Sequence, residues 1–387
     1  MARNCPACAC SKRRFFYEQH FHNKTLALME KYDVVSCARC GFAYADNIPS
    51  QAAFNRYYSQ MSKYEFSDKR GEVPASHLRH FKKIVDFIKP HMLDRKARIL
   101  DVGCSTGGLL SVFRRSGYER LSGVDPSRPC AKAAKALYGI PVTPCNIFDF
   151  HEDGKFDLVV LSAVLEHVVD LHALLEKIGG LLREQGMLFI EVPDADRFDA
   201  YITAPFQQFS VEHINYFTRR SLGNLLERAF FEIVKVRADE NKISEAIDPD
   251  IFLIARKMGG RKTRLCCDDF GVRKIRSYVA RCSQEDLAMK KRVCDKLTGI
   301  KKVIVWGAGT HTQRLLGAGL DPSRVFFIAD SNPRYWGKRL NGIPVMSPKG
   351  IHQEKIPILI STYSFQDEIA GQIKEGLKLK NKIIKLY

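Results

Sequence analysis

Arg98-Ile99-Leu100-Asp101-Val102-Gly103 runs directly into Cys104-Ser105-Thr106-Gly107-Gly108, and Leu109-Leu110 follows. The short apolar run reads as a buried strand, the glycine-rich stretch as a tight turn, and the leucines as the start of a helix. The same unit recurs downstream. Leu121-Ser122-Gly123-Val124-Asp125 is a second strand ending in an acid, Phe156-Asp157-Leu158-Val159-Val160-Leu161 another, and Met187-Leu188-Phe189-Ile190-Glu191-Val192 a further one, with helical segments between. Upstream, Leu78, Phe81, Ile84, Val85 and Ile88 share one face of a helix over residues 77–89. Strands alternating with helices imply an α/β fold with a parallel, doubly wound sheet.

The turn after the first strand begins with an acid, Asp101, which disfavours a phosphate close by. A cationic or hydroxyl-rich ligand suits it better. Asp125, ending the second strand, is placed to accept ribose hydroxyls. S-adenosylmethionine (SAM) offers an ammonium, a sulfonium and a ribose diol. DVGCSTGG from Asp101, GVDPS from Gly123 and FDLVVLSAVLEHVVD from Phe156 occur in that order. Over roughly residues 78–240 the chain thus resembles class I SAM-dependent methyltransferases. The resemblance implies a Rossmann-like domain with Asp101, Gly103, Ser105, Gly107, Asp125 and Asn146 around the donor. Asn146 and Ile147 fall where that family flanks the adenine, with Asp149 as the other polar contact to consider.

Cys5-Pro6-Ala7-Cys8 and Cys37-Ala38-Arg39-Cys40-Gly41 are two CxxC knuckles. Each points two thiolates at one place, and two knuckles complete a tetrahedral zinc site. Four thiolates leave no open position, so Cys5, Cys8, Cys37 and Cys40 are expected to hold a structural Zn2+, with Cys10 as a competitor for the place of Cys8. Phe15-Phe16-Tyr17 and Asp33-Val34-Val35 between the knuckles read as strands. The other seven cysteines show no ligand spacing and are expected as free thiols.

Near the C-terminus, Lys302-Val303-Ile304-Val305-Trp306 enters Gly307-Ala308-Gly309-Thr310-His311-Thr312 and a helix through Leu315-Leu316. Asp330 ends the next strand, 21 residues past Gly309, which is a dinucleotide-like spacing, with Thr312 at the third glycine position. A second, small Rossmann-like domain follows, whose turn at residues 307–311 offers amides to a phosphate or serves as scaffold. Three parts result: a zinc-binding domain at 1–48, a SAM-dependent methyltransferase domain at 49–258, and a basic helical linker with the Rossmann-like domain at 259–387.

The chain has 387 residues and a formal net charge of +18. Residues 256–302 carry fifteen Lys/Arg against five Asp/Glu. That excess reads as a solvated helical face or as an anion-binding one. With 45% hydrophobic residues the chain is not mostly disordered. No apolar run is long enough to span a bilayer, and the first ten residues lack a signal-peptide core, so no membrane partner and a cytoplasmic location are expected.

Two Glu-His pairs stand out, Glu166-His167 and Glu212-His213. Methyl transfer is an in-line displacement from an activated donor, so an enzyme mainly aligns the acceptor and removes its proton. His213 is the first choice as base, with Glu212 or His167 in support. Thr218 is a helix cap in the same segment. The order of knuckles, methyltransferase and small Rossmann-like domain resembles the sugar C-methyltransferases of deoxysugar pathways. In that family the acceptor is a nucleotide-diphosphate keto-sugar held between the middle and last domains. Its base segment, Tyr-His-Glu-His followed by an aromatic pair, is matched by Glu212, His213, Tyr216 and Phe217, while Ser210 and Val211 depart from it. Tyr64-Glu65-Phe66-Ser67 matches another family stretch and adds Tyr64 to the catalytic set. His167 sits where the family often has a second histidine. The resemblance implies C- or O-methylation of a nucleotide-linked sugar or another saccharide. The alternative is a zinc-containing RNA methyltransferase; nucleic acid is the less favoured partner, because no Asn-Pro-Pro-Tyr-type motif is present.

Overall fold

The computed structural model describes residues 2–21, 28–60, 73–243, 246–260, 265–353, 355–362 and 365–386. Tyr64 and its neighbours lie outside the described residues.

Three sheets organise the chain. The largest has seven strands, in the order Phe231–Ile243, Ala246–Lys257, Leu182–Pro193, Phe156–Ser162, Arg98–Val102, Arg120–Val124, Val142–Thr143. The last five of these run parallel. Alternation sends successive side chains to opposite faces. Leu100, Val159 and Leu161 pack on one side with the helix Leu171–Leu181. Ile99, Leu158 and Val160 pack on the other with the helices Ala75–Ile88 and Gly108–Arg115. The sequence reading expected a parallel sheet, and the strands Phe231–Ile243 and Ala246–Lys257 extend its edge, paired antiparallel with each other and, through the second, with Leu182–Pro193. An antiparallel neighbour needs only a short connection, whereas a further parallel strand would need another crossover helix.

Strand Arg98–Val102 has its sequence successors on both sides, Arg120–Val124 and Phe156–Ser162. The connections diverge there and leave a crevice at the carboxyl ends of the strands, where open α/β sheets hold ligands. Gly103 turns out of the strand with φ +72°, and a Cβ there would lie 3.2 Å from Val164 Cγ2. Glycine thus serves both the backbone conformation and the approach of the next loop.

The N-terminal strands Arg13–His20, Lys31–Cys37 and Ala43–Asp46 form an antiparallel sheet, completed by Asn215–Tyr216. The segment carrying His213 is therefore held by the cysteine-bearing sheet. The third sheet has the order Arg339–Leu340, Ile343–Met346, Val325–Ala329, Val303–Trp306, Ile358–Ile360, Ile383–Lys385, and is parallel except for its first pair. Val303–Trp306 lies at its switch point, and Gly307–Gly309 follow directly.

The helix Asp269–Lys296 ties these bodies together. Val272, Ile275, Tyr278, Cys282, Met289 and Val293 recur at intervals of three, four or seven and are buried. Ile275, Tyr278 and Cys282 pack with N-terminal aromatics, and Met289 and Val293 with the C-terminal core. Asp268 caps the helix by accepting the Gly271 N–H at 2.9 Å, and its own N–H donates to Cys40 O. Gly41 has φ +78°, and a Cβ there would come within 2.7 Å of Asp268 O, so the second knuckle needs glycine beneath the helix start. Most basic residues of this stretch lie on the solvated face, while Lys274 pairs with Asp199 at 2.6 Å and Arg281 donates to the Asp199 carbonyl. Among the described residues no helix is long and apolar enough to cross a membrane.

Candidate active site

A cavity of about 910 Å³ opens at the crevice of the large sheet. Its floor is strand-end backbone: Val102-Gly103, Val124-Asp125-Pro126-Ser127 and Cys145–Phe148. Its far wall is made by Glu166, His167, Glu212 and His213, and its rim by Gly309, His311, Thr362 and Phe365 of the C-terminal sheet. Gln51, Asn55 and Tyr58 of the helix Gln51–Gln60 close the remaining side.

Of the expected donor residues, Gly103, Asp125 and Asn146 line this space, while Asp101, Ser105 and Gly107 stand behind it. Asp101 is buried beneath the turn, and burial with Asp125 and Glu191 nearby holds its carboxyl well above the ordinary range. Ser105 gives its backbone N–H to Asp125 Oδ2 at 2.8 Å, and Ser127 N–H reaches Oδ1 at 2.9 Å. Asp125 thus shapes its own loop, each carboxylate oxygen keeping further acceptor capacity. Burial raises its pKa, and those two amides oppose the rise. Gly107, at φ +78°, precedes the first turn of Gly108–Arg115. Asn146 caps the turn Ile147–Asp149 by accepting the Phe148 N–H at 2.9 Å.

His167 and His213 stand edge to face, ring centres 5.0 Å apart. His167 Nδ1 lies 3.1 Å from the Glu212 carbonyl and 3.1 Å from the Tyr58 hydroxyl, and its Nε2 lies 3.7 Å from Glu166 Oε1. The Glu212 carboxylate accepts the Tyr57 hydroxyl at 2.8 Å. Ser210 Oγ accepts the backbone N–H of His213 at 3.1 Å. Thr218 caps the helix Arg219–Arg228 through the Ser221 N–H. Tyr57 and Tyr58 were not singled out from the sequence; adjacent tyrosines in an amphipathic helix carry no motif.

The cavity is lined by acids although the chain is basic. Asp125, Glu166, Glu191, Glu212, Asp248 and Asp250 line it, and no Lys or Arg does so among the described residues. Such a wall suits a ligand bearing an ammonium and a sulfonium. Beneath it, His80 Nε2 meets Glu191, whose other oxygen takes the Ser162 hydroxyl.

The Sγ atoms of Cys5, Cys8, Cys37 and Cys40 all lie within 4.8 Å of one another, with Cys5–Cys40 at 3.6 Å and Cys8–Cys37 at 3.5 Å. A tetrahedral ion with bonds of about 2.3 Å to sulfur has edges of about 3.8 Å. All four residues are buried, and Cys10 turns to Lys12 O instead. Burial pushes the Cys37 thiol up to about 12, and the Cys5 hydrogen bond with burial raises Cys40 further. Four thiolates in that place would require a cation, and the donor set fits one.

Residues 75–236 match the family model described as a methyltransferase domain. The C-methyltransferase NovU of Streptomyces niveus is 26% identical over 373 residues, 91% of this chain and 85% of that protein. The chain carries a SAM-dependent methyltransferase domain. Its residues 299–384 match a second model, described as C2185-like, N-terminal. The ubiquinone biosynthesis O-methyltransferase of Nitrobacter winogradskyi is 33% identical over 96 residues, which span 24% of this methyltransferase and 36% of that protein. Among solved structures, the 1,6-didemethyltoxoflavin-N1-methyltransferase of Burkholderia thailandensis aligns with a TM-score of 0.42 at 21% identity, covering 57% of this chain and 97% of that one.

Proposed function

We propose that this methyltransferase acts on a sugar-type acceptor, a nucleotide-linked sugar, at carbon or oxygen, with His213 as general base. One observation carries the reading: a single cavity is walled by Gly103 and Asp125, by His167 and His213, and by Gly309 and His311. SAM, when bound, supplies a methyl group already activated on sulfur. Gly103, Asp125 and Asn146 border the donor end. His213 takes a proton from the acceptor at the other end, while Tyr57 fixes Glu212 and His167 braces the same segment. The likeness to a protein named a C-methyltransferase extends over most of the chain and favours carbon.

A diphosphate finds no cation on the described cavity wall. Ala308 N–H is already held by Asp330 Oδ2, so the amides that follow Gly309, at the start of Thr310–Ala318, are the ones left for it. The RNA alternative has less support, since a polynucleotide would meet acids and no Lys or Arg on the described cavity wall. Cys5, Cys8, Cys37 and Cys40 would hold zinc as a closed structural centre that clamps the knuckles under Asp268. In this reading residues 1–48, 49–258 and 259–387 are the zinc-binding, methyltransferase and C-terminal parts, working in the cytoplasm.

The test is a mass-shift screen of the full chain with SAM, a panel of nucleotide-sugars, free glycans and an RNA pool. Methyl gain on a nucleotide-sugar is the expected result. Gain on RNA alone would replace the reading.

A further inference from the structure

Glu166 is an acid for which the proposed mechanism has no use. It lies in the turn Leu165–His167, is 1% exposed and still lines the cavity. Its Oε2 has no hydrogen-bond partner among the described residues. Its Oε1 is 3.7 Å from His167 Nε2. His167 Nδ1 lies 3.1 Å from the Glu212 carbonyl, which can only accept, and 3.1 Å from the Tyr58 hydroxyl, which can donate or accept; a proton on Nδ1 satisfies both. In the neutral ring Nε2 is then an acceptor, and it gives Glu166 neither charge nor hydrogen. The other titratable groups around it are Glu191, Asp250 and His213. Two are carboxylates, and no Lys or Arg lines the space. An ionised Glu166 would be a buried charge among lone pairs and like charges, with its own backbone N–H in partial compensation, an arrangement that favours keeping the proton. Burial pushes its pKa up to about 8, opposed by its own backbone N–H and reinforced by Glu191.

We propose that Glu166 is a catalytic residue that stays un-ionised and donates a hydrogen bond to a carbonyl oxygen of the acceptor, opposite His213. This rests on the reading of the cavity as the site of a keto-sugar methyltransferase and adds the group that meets the ketone oxygen. His213 removes the proton from the carbon beside the carbonyl, and that C–H pair becomes the enolate double bond. The former carbonyl pair moves onto oxygen, where Glu166 O–H holds it. The enolate carbon then attacks the methyl group, the C=O bond re-forms, and the methyl–sulfur pair leaves with sulfur. Glu166 keeps its proton, and that on His213 passes to solvent. A neutral acid is suited to this step because it meets the oxyanion without ionising. For O-methylation the same hydrogen bond would blunt the attacking oxygen, so the placement of Glu166 favours carbon.

The test reads enolisation without methyl transfer. The full chain, loaded with S-adenosylhomocysteine, is mixed in D2O with a thymidine-diphosphate 4-keto-6-deoxyhexose, and loss of the proton signal beside the ketone is followed by NMR. Wild type should exchange it and His213→Ala should not. Glu166→Gln keeps an uncharged N–H donor and should remain within about tenfold of wild type, whereas Glu166→Leu should fall by about a hundredfold or more, with donor affinity unchanged. Exchange by Glu166→Leu at the wild-type rate overturns the role of Glu166 and leaves the sugar reading standing. No exchange by wild type overturns both. If the leucine variant does not fold, the infrared spectrum decides. A protonated-carboxyl band at neutral pH that Glu166→Gln lacks supports the proposal, and identical spectra overturn it.

Discussion

The Tyr57 hydroxyl donates to the Glu212 carboxylate at 2.8 Å, across 155 residues of chain. The next residue, Tyr58, reaches His167 Nδ1 at 3.1 Å. One helix, Gln51–Gln60, thereby bears on both Glu-His pairs. Tyr57 is held neutral by burial and by Glu212 itself. Tyr57→Phe removes a hydrogen bond to a charged group and should lower turnover by about tenfold while leaving donor affinity alone. Steady-state kinetics beside calorimetry of the donor checks this; a change in donor affinity alone would place Tyr57 elsewhere in the mechanism.

Asp125 offers a sharper separation. Both its oxygens already hold backbone amides, Ser105 on one side and Ser127 on the other. Asp125→Asn keeps one acceptor and loses the charge. SAM binding should weaken by roughly 1.5–3 kcal/mol, the range for a hydrogen bond to a charged group. Unchanged calorimetric affinity would mean that the ribose is held by other groups.

Asp125 and Asp330 also show what the sequence does and does not encode. Both were legible as acids closing the second strand of a Rossmann-like unit. In each unit the acid accepts an amide of the glycine turn, Ser105 N–H in one and Ala308 N–H in the other. Strands such as Arg98–Val102 and Val303–Trp306 are short, apolar and bounded by glycine, so local pattern was enough to find them. The antiparallel pair Phe231–Ile243 and Ala246–Lys257 was not foreseen, because a partner across a sheet leaves no mark in either strand alone. Tyr57, Tyr58 and Glu166 gain meaning only from what the fold sets opposite them. Net charge says little about the site: cations cover surfaces such as the long helix, as one of the two readings of the basic stretch expects, and the cavity is lined by acids.

Glu166 makes stability depend on pH in a direction opposite to that of a salt-bridged acid. Its pKa rises from 4.5 to about 8 on folding. Between those values the folded chain holds a proton that the unfolded chain has released, so stability falls as pH rises. This contribution is fully present below about pH 4.5 and is lost by about pH 8. Asp196, raised to about 6 by burial and Asp194, acts in the same direction over a lower window. Melting temperatures of donor-free wild type should therefore decline from about pH 5 to 8 relative to Glu166→Gln, which cannot titrate there. Parallel profiles for the two proteins would show that Glu166 does not change its proton on unfolding.

The cysteine centre predicts about one zinc per chain by elemental analysis. Cys37→Ser should lose the metal and, with it, the support under Asp268 and the long helix, lowering the melting temperature. Cys10→Ser should keep the full complement, since Cys10 faces Lys12 O rather than the cluster. Metal-free protein with an unchanged melting curve would remove the assignment.

His213 and Gly309 lie on the same cavity but serve different ends of the proposed acceptor. His213→Ala should reduce turnover by roughly 10²–10⁴, the usual contribution of a general base, with donor affinity unchanged. Gly309 has φ −75°, and nothing lies within 4 Å of a Cβ built there, so Gly309→Val is tolerated by the fold. The added side chain instead crowds the amides that begin the helix Thr310–Ala318 and narrows the rim. It should raise the acceptor KM by about tenfold or more and spare turnover at saturation, as expected when binding common to ground and transition states is lost. Measuring both parameters for both variants gives a crossed pattern, kcat falling in one and KM rising in the other. Equal loss of kcat in both would place the reacting atoms at the C-terminal rim. No effect of Gly309→Val on either parameter would make the C-terminal turn a scaffold rather than a wall of the acceptor site.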